Sequence, residues 1–258
     1  MLKKFTVNSK VGMSVLNFFT RFYRRVNVNR DISYGEQPRM LYDEFPAQKK
    51  SAPIVIFWHG GSWQNGDKKT YGFVGSFFQK NGINGIVANY PKFPEQNFPG
   101  FIKDAQDLVD VIRKRYPKSK IYLSGHSSGA HTALITAMKQ RVEPVDGVIA
   151  LAPPNWFSKT NWPKYEKVFD VTYESKKQET YSYVGASPRA TRYLLLHGAN
   201  DITVSPKGTI KLHEYLMING ISSIYKILGA VNHFMILGVF MSGFFPATKR
   251  EIKNFIDV

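Results

Sequence analysis

The sequence predicts an α/β fold, a mostly parallel sheet with helices on both faces. Strand-like and helix-like stretches alternate almost throughout. Several strand candidates, such as Ile54-Val55-Ile56-Phe57-Trp58 and Gly147-Val148-Ile149-Ala150-Leu151-Ala152, are unbroken apolar runs. That is the pattern of a strand buried on both faces of a parallel sheet. The residues equipped for chemistry fall just after strands, where the loops of such sheets gather along one edge.

The elements follow in order. Asp31 to Pro46 is polar, with hints of short strands at Tyr34-Gly35 and Met40 to Asp43. A turn at Lys49 to Pro53 leads into the strand from Ile54, which ends at His59-Gly60-Gly61-Ser62-Trp63. Tyr71 to Lys80 has a helical pattern and stops at Asn81-Gly82. Ile86 to Tyr90 is the next strand, and Pro91 to Pro99 is a proline-punctuated loop. In Phe101 to Tyr116, Ile102, Ala105, Leu108, Val109 and Ile112 fall on one helical stripe, and Pro117 ends it. A strand at Ile121 and a helix from Ser128 to Lys139 flank Ser127. After the strand at Gly147, residues 155–192 are irregular and read as an insertion over the carboxyl edge of the sheet. Tyr193 to His197 is a strand, Ser205 to Asn219 a helix, Ser223 to Ile227 a strand and Ala247 to Ile256 a final helix. Phe234 to Phe245 is strongly apolar, suited to walling a pocket mouth or touching lipid.

The chain of 258 residues suits a single large domain, read as 31–258, preceded by a basic segment at 1–30. Cysteine is absent, which excludes disulfides, thiolate metal sites and a cysteine nucleophile. It fits a reducing, cytoplasmic setting. The net charge is +16, with Lys and Arg scattered and no nucleic-acid motif to accompany them. We therefore expect no nucleic-acid partner, only a surface that favours anionic membranes or polyanions. No stretch has the uninterrupted apolar length of a membrane span. Met1 to Phe22 lacks the clean apolar core of a secretory signal. It reads instead as a basic amphipathic helix, with Val15, Leu16, Phe18, Phe19, Phe22 and Tyr23 as its apolar side. Peripheral membrane contact and docking on the protein's own body both remain open for it.

The chemistry centres on Gly125-His126-Ser127-Ser128-Gly129, a Gly-x-Ser-x-Gly motif between a strand and a helix. A sharp turn there pushes the Ser127 hydroxyl out at a helix N-terminus. The Ser128 amide and the positive helix end can then face a developing negative charge. Asp201 and His233 follow later strands, in the order Ser, Asp, His. A serine hydroxyl is a weak nucleophile and needs a base, which an imidazole supplies near neutral pH. A carboxylate on the other ring nitrogen fixes the tautomer and stabilises the imidazolium. Asp146 precedes a strand and so lies at the wrong edge, whereas Asp170, in the insertion, stays open as a rival acid. The other histidines lack metal-site spacing, so neither metal nor cofactor is expected. His59 reads as a prop for its loop with Gly60, His131 as packed or hydrogen-bonded, and His197 as ordering the Asp201 loop. His213 reads as surface or satisfied core.

Four motifs, in order, resemble carboxylesterases of the α/β-hydrolase superfamily, in the small esterase and lipase branch that includes hormone-sensitive-lipase-like and arylformamidase-like enzymes. These are His59-Gly60-Gly61-Ser62-Trp63, the Ser127 elbow, Tyr90-Pro91-Lys92-Phe93-Pro94-Glu95-Gln96-Asn97-Phe98-Pro99 and His197-Gly198-Ala199-Asn200-Asp201. The resemblance covers Asp31 to the C-terminus. It implies an α/β-hydrolase fold and an acyl-enzyme on Ser127. It also implies an oxyanion hole from the amides of Gly61, Ser62 and Ser128. A small-molecule ester is the implied substrate, with an amide-cleaving formamidase as the alternative. A non-catalytic scaffold of the same fold is the rival from another class. Pro91 replaces the branch's usual Arg and Ser62 its third glycine, departures that bear on substrate choice. No sizeable cap is evident. Trp63 and Trp156, with Trp162 and Phe157, are candidates for a pocket wall or for packing. Met217, Met235 and Met241 read as apolar filling.

Overall fold

The computed structural model describes residues 26–49, 51–139 and 143–257. The amphipathic helix expected between Met1 and Phe22 lies outside the described residues. The strands are β1 (Asn29–Ser33), β2 (Leu41–Phe45), β3 (Ile54–Trp58), β4 (Asn84–Ala88), β5 (Ile121–His126), β6 (Gly147–Leu151), β7 (Arg192–Gly198) and β8 (Ser223–Leu228). They form one sheet in the order β1-β2-β4-β3-β5-β6-β7-β8. β1 and β2 pair antiparallel, as do β2 and β4, and the remaining pairs are parallel. The helices are α1 (Gly72–Lys80), α2 (Gly100–Arg115), α3 (Ser128–Met138), α4 (Glu166–Phe169), α5 (Pro206–Ile218) and α6 (Pro246–Ile256). The fold is that of an α/β-hydrolase.

Alternation along the strands divides the core in two. In β3, Ile54, Ile56 and Trp58 face a cluster completed by α2, α3 and α5. Val55 and Phe57 face the opposite cluster, completed by α1 and α6. All five β3 residues are buried, and each large apolar side chain so enclosed contributes roughly 1.5–3 kcal/mol. In α2 the expected stripe is the buried one, and Arg113, Lys114 and Arg115 in its last turn complement the helix dipole. α3 is buried on every side, which its run of small residues permits.

Several elements differ from expectation. The first strand lies at Asn29–Ser33, where Ile32 pairs with Tyr42, and the chain turns at Tyr34 and Gly35. The anticipated boundary after residue 30 thus falls inside β1. β4 ends at Ala88, opposite Trp58; Asn89 beyond it still donates its amide to the Leu41 carbonyl at 2.9 Å, while its side chain accepts from the Lys68 amide at 2.7 Å. The insertion is built of short turns and α4. It drives Phe157, Trp162 and Phe169 into the first cluster. The apolar run from Phe234 forms a 3-10 turn at Met235–Phe240. Ile236, Leu237, Val239 and Phe240 are buried in the second cluster. Met217 and Met235 are half-exposed and fill no core.

Three enclosed imidazoles brace the carboxyl edge. His59 Nδ1 donates to the Gly60 carbonyl at 2.8 Å, His126 Nε2 to the His233 carbonyl at 2.8 Å and His131 Nε2 to the Gln178 carbonyl at 3.0 Å. Burial lowers their pKa values from 6.5 to about 4 for His59, about 3 for His126 and about 4 for His131. The unfolded chain therefore takes up these protons first, and their stabilising contribution, whole above 6.5, is lost as pH falls through the folded values. Asp104 and Glu179, whose pKa values burial raises, oppose this slope. We predict that the urea midpoint of a His131→Gln variant declines less steeply than the parent's as pH falls from 6.5 to about 4. Parallel declines would contradict the assignment.

Candidate active site

Ser127 stands between β5 and α3 with φ 54 and ψ −123. This region is unfavourable for a side-chain-bearing residue, at a cost of about 1–3 kcal/mol. The fold sustains it through hydrogen bonds from the Ser127 amide to the Leu151 carbonyl at 2.9 Å and from the His131 amide to the Ser127 carbonyl at 3.1 Å. Two glycines make the crossing possible. A Cβ on Gly125 would lie 2.3 Å from the Gly129 carbonyl, and one on Gly129 would lie 2.1 Å from the Trp58 carbonyl oxygen.

Parallel pairing brings the loops after β3, β5, β7 and β8 to one edge. There the structure joins Ser127, His233 and Asp201, the residues singled out in the sequence. Ser127 Oγ is 2.9 Å from His233 Nε2, and His233 Nδ1 is 2.7 Å from Asp201 Oδ2. Asp201 Oδ2 also faces His197 Nε2 at 3.1 Å, while Oδ1 accepts from the amides of Thr203 and Val204 at 2.8 and 2.9 Å. The His197 tautomer follows from its neighbours. Its Nε2 faces two acceptors, Asp201 Oδ2 and the Val204 carbonyl, so it carries the proton. Nδ1 then accepts from the Thr209 hydroxyl at 2.7 Å. Burial alone would raise the Asp201 pKa, but the hydrogen bonds from His197 and His233 outweigh it and hold the carboxyl well below its usual range. Asn232 Oδ1 accepts from the amides of Phe234 and Met235 at 3.0 and 2.9 Å, which fixes the turn that presents His233.

The loop after β3 lies against this chain. A Cβ on Gly60 would come within 3.1 Å of Ser127 Cβ, tighter than an ordinary contact, so the missing side chain eases the loop's close approach to the serine. Gly61 has φ 138, Ser62 φ 56 and Trp63 φ 58. The Gly61 carbonyl accepts from the amides of Gln64 and Asn65 at 3.1 and 2.8 Å. Among the described residues, no hydrogen bond uses the amides of Gly61, Ser62 or Ser128. His59 props the loop, stacked on Tyr90 with ring centroids 4.8 Å apart. Tyr90, to which the sequence reading gave no role, lies with its hydroxyl 3.4 Å from both the His59 carbonyl and Ser128 Oγ. Its place in the Tyr-Pro stretch was the available signal. The far end of the loop is anchored by Lys68, a buried ammonium between Asp43 and Asp31.

The remaining candidates sort by position. Asp146 lies at the amino edge, accepting from the Ile121 amide at 2.8 Å. Asp170 is an exposed residue closing α4 at φ 50. Trp63 is enclosed by Phe101, His131, Phe157, Tyr165 and Phe169. With 1% exposure it is a packing residue and not a pocket wall. Trp156 is half-exposed, with the Lys211 ammonium 3.9 Å from its ring centroid. His213 packs against Tyr225, with ring centroids 4.8 Å apart and the planes tilted by 48°. Among the described residues, no group of three or more His, Asp or Glu side chains could hold a metal ion.

The family model described as BD-FAE matches residues 43–171. A probable isoprenylcysteine alpha-carbonyl methylesterase of Oryza sativa subsp. japonica is 30% identical over 137 residues, covering 50% of this chain and 32% of the relative. A kynurenine formamidase of Danio rerio is 31% identical over 106 residues, covering 40% of this chain and 36% of the relative. The chain thus spans about a third of the length of these curated relatives. Esterase B from Lactobacillus rhamnosis, inhibited by a tributyrin phosphonate, superposes with a TM-score of 0.78 at 16% identity over 100% of this chain and 94% of the other. With the matched segment taking in half of its residues, including the loop after β3 and the Ser127 elbow, the chain belongs to the BD-FAE family of the α/β-hydrolase superfamily.

Proposed function

We propose that the protein is a serine carboxylesterase acting on small carboxylic esters through an acyl-enzyme on Ser127. The observation that carries this reading is the continuous hydrogen-bonded chain from Ser127 through His233 to Asp201. His233 Nε2 takes the hydroxyl proton as Ser127 Oγ attacks the ester carbonyl, and Asp201 stabilises the resulting imidazolium. The amides of Gly61, Ser62 and Ser128, assisted by the N-terminus of α3, receive the oxyanion. Losing one such donor typically costs about 3–4 kcal/mol of barrier. The imidazolium protonates the departing alcohol. A water deprotonated by His233 then attacks the acyl carbonyl, releasing the acid and restoring the serine. His59, His126 and His131 do not compete as bases, since each is enclosed and hydrogen-bonded to a carbonyl.

Small acyl groups suit the insertion, whose Phe157, Trp162 and Phe169 are spent on packing against the core. The similarity to a named methylesterase supports the ester reading. The similarity to a named kynurenine formamidase favours a second one, cleavage of an aryl formamide by the same parts.

Four measurements test these readings. Ser127→Ala should lower ester turnover by about 10⁴-fold or more with an unchanged unfolding midpoint, and activity within tenfold of the parent would refute the assignment. A fluorophosphonate should label the parent at Ser127 and at no other residue. Asp201→Asn should keep the fold yet lose about 10⁴-fold in kcat, since the imidazole would adopt the wrong tautomer. Across chromogenic esters kcat/KM should fall from acetyl and butyryl to palmitoyl. A formanilide turned over faster than every ester would move the assignment to the formamidase.

A further inference from the structure

On the face of the sheet served by the second core cluster, α1, the turn at Met235–Phe240 and α6 enclose a groove of about 810 Å³. Its floor is aromatic, with Phe77 and Phe240 packed edge-on at 5.4 Å. Its rim carries Lys80 from α1 and Lys249, Arg250 and Lys253 from α6, and no acidic side chain lines it. None of these four cations belongs to an ion pair among the described residues. Burial holds the Lys249 ammonium below its ordinary pKa, a cost that an anion at the rim would relieve. Phe244, also at the rim, is 52% exposed.

The geometry points to this groove as a docking surface for a bilayer rich in anionic lipid, with Phe244 entering the interface and the four cations meeting headgroups. An apolar surface framed by lysine and arginine is the arrangement that binds such membranes, each cation adding to the attraction and salt weakening it. The protein's own N-terminal stretch is the poorer occupant. Residues 1–25 carry six Lys or Arg and no Asp or Glu, so they would repel the rim. That stretch nonetheless joins the described chain beside the groove. Val26 and Val28 pack against the same cluster, and the Asn27 carbonyl accepts from Gln79 of α1 at 2.7 Å.

The test is sedimentation of the full chain with phosphatidylcholine vesicles, with and without phosphatidylserine, at low salt. The parent should bind only the anionic vesicles. The triple change Lys249→Gln, Arg250→Gln and Lys253→Gln should weaken that binding by about a hundredfold while leaving the unfolding midpoint unchanged. Phe244→Ser, which keeps every charge, should weaken it severalfold and serves if the triple variant does not fold. Replacing Arg21, Arg24 and Arg25 by Gln should leave the effect of the α6 changes intact. Equal binding by the parent, the α6 variant and Phe244→Ser would overturn the proposal. So would groove-dependent binding of monomeric decanoate without binding of vesicles, which would assign the groove to a free amphiphile.

Discussion

The site depends on how closely α3 can lie against the end of β3. Gly129 rests on the Trp58 carbonyl with no room for a methyl group, and Gly125 rests on Gly129 in the same way. This contact closes the strand–helix turn tightly enough to hold Ser127 at φ 54, where its hydroxyl leaves the sheet edge. It also brings the chain that continues from Trp58, through His59 and Gly60, alongside Ser127. One steric fit thus sets both Ser127 and the loop with unused amides. A larger residue at Gly129 would have to move the helix or the strand, and either shift would part the two.

Electrostatics at the same edge separates the histidines by environment. His59, His126 and His131 are enclosed among rings and donate to carbonyls, so burial keeps them neutral. His233 alone lies between a carboxylate and a serine hydroxyl. Asp201 is itself gripped by His197 and by the Thr203 and Val204 amides, which holds its charge in place before any reaction begins. In the proposed reaction the imidazolium would form against a fixed anion, with little reorganisation at the moment of proton transfer.

Much of this was legible in the sequence because the relevant constraints are local. Unbroken apolar runs mark β3 and β6, and the stripe in α2 marks its buried face. The Gly-x-Ser-x-Gly spacing encodes the elbow, and the loop positions of Asp201 and His233 follow once parallel pairing is assumed. What escaped was tertiary in origin. The sequence around Tyr34 gives no sign that pairing belongs to Asn29–Ser33, because register there depends on β2. For Trp63 the sequence left a pocket wall and packing equally open. Only the fold shows five rings from α2, α3 and the insertion closing over it. Tyr90 continued an apolar run, and its part in propping the His59 loop depends on α3 lying beside it. The run after His233 divides in a way the sequence alone does not mark, with Ile236 to Phe240 in the second core and Phe244 left exposed. Hydrophobicity reveals burial, not which core receives it.

That last run shows how His233 is held. Its carbonyl accepts from His126 at 2.8 Å, and two residues later the chain enters the turn buried in the second core. Phe240, at the end of that turn, meets Phe57, Phe77 and Phe78 at ring separations of 5.9, 5.4 and 5.4 Å. His233 is therefore tethered on one side through Asp201 and His126 at the carboxyl edge. On the other it is tethered by an aromatic cluster beneath the opposite face of the sheet. Because Phe77 and Phe240 also floor the basic groove, the packing that steadies His233 and the surface that faces outward share side chains. A substitution that loosened this cluster would act on the position of the imidazole without touching the reacting atoms.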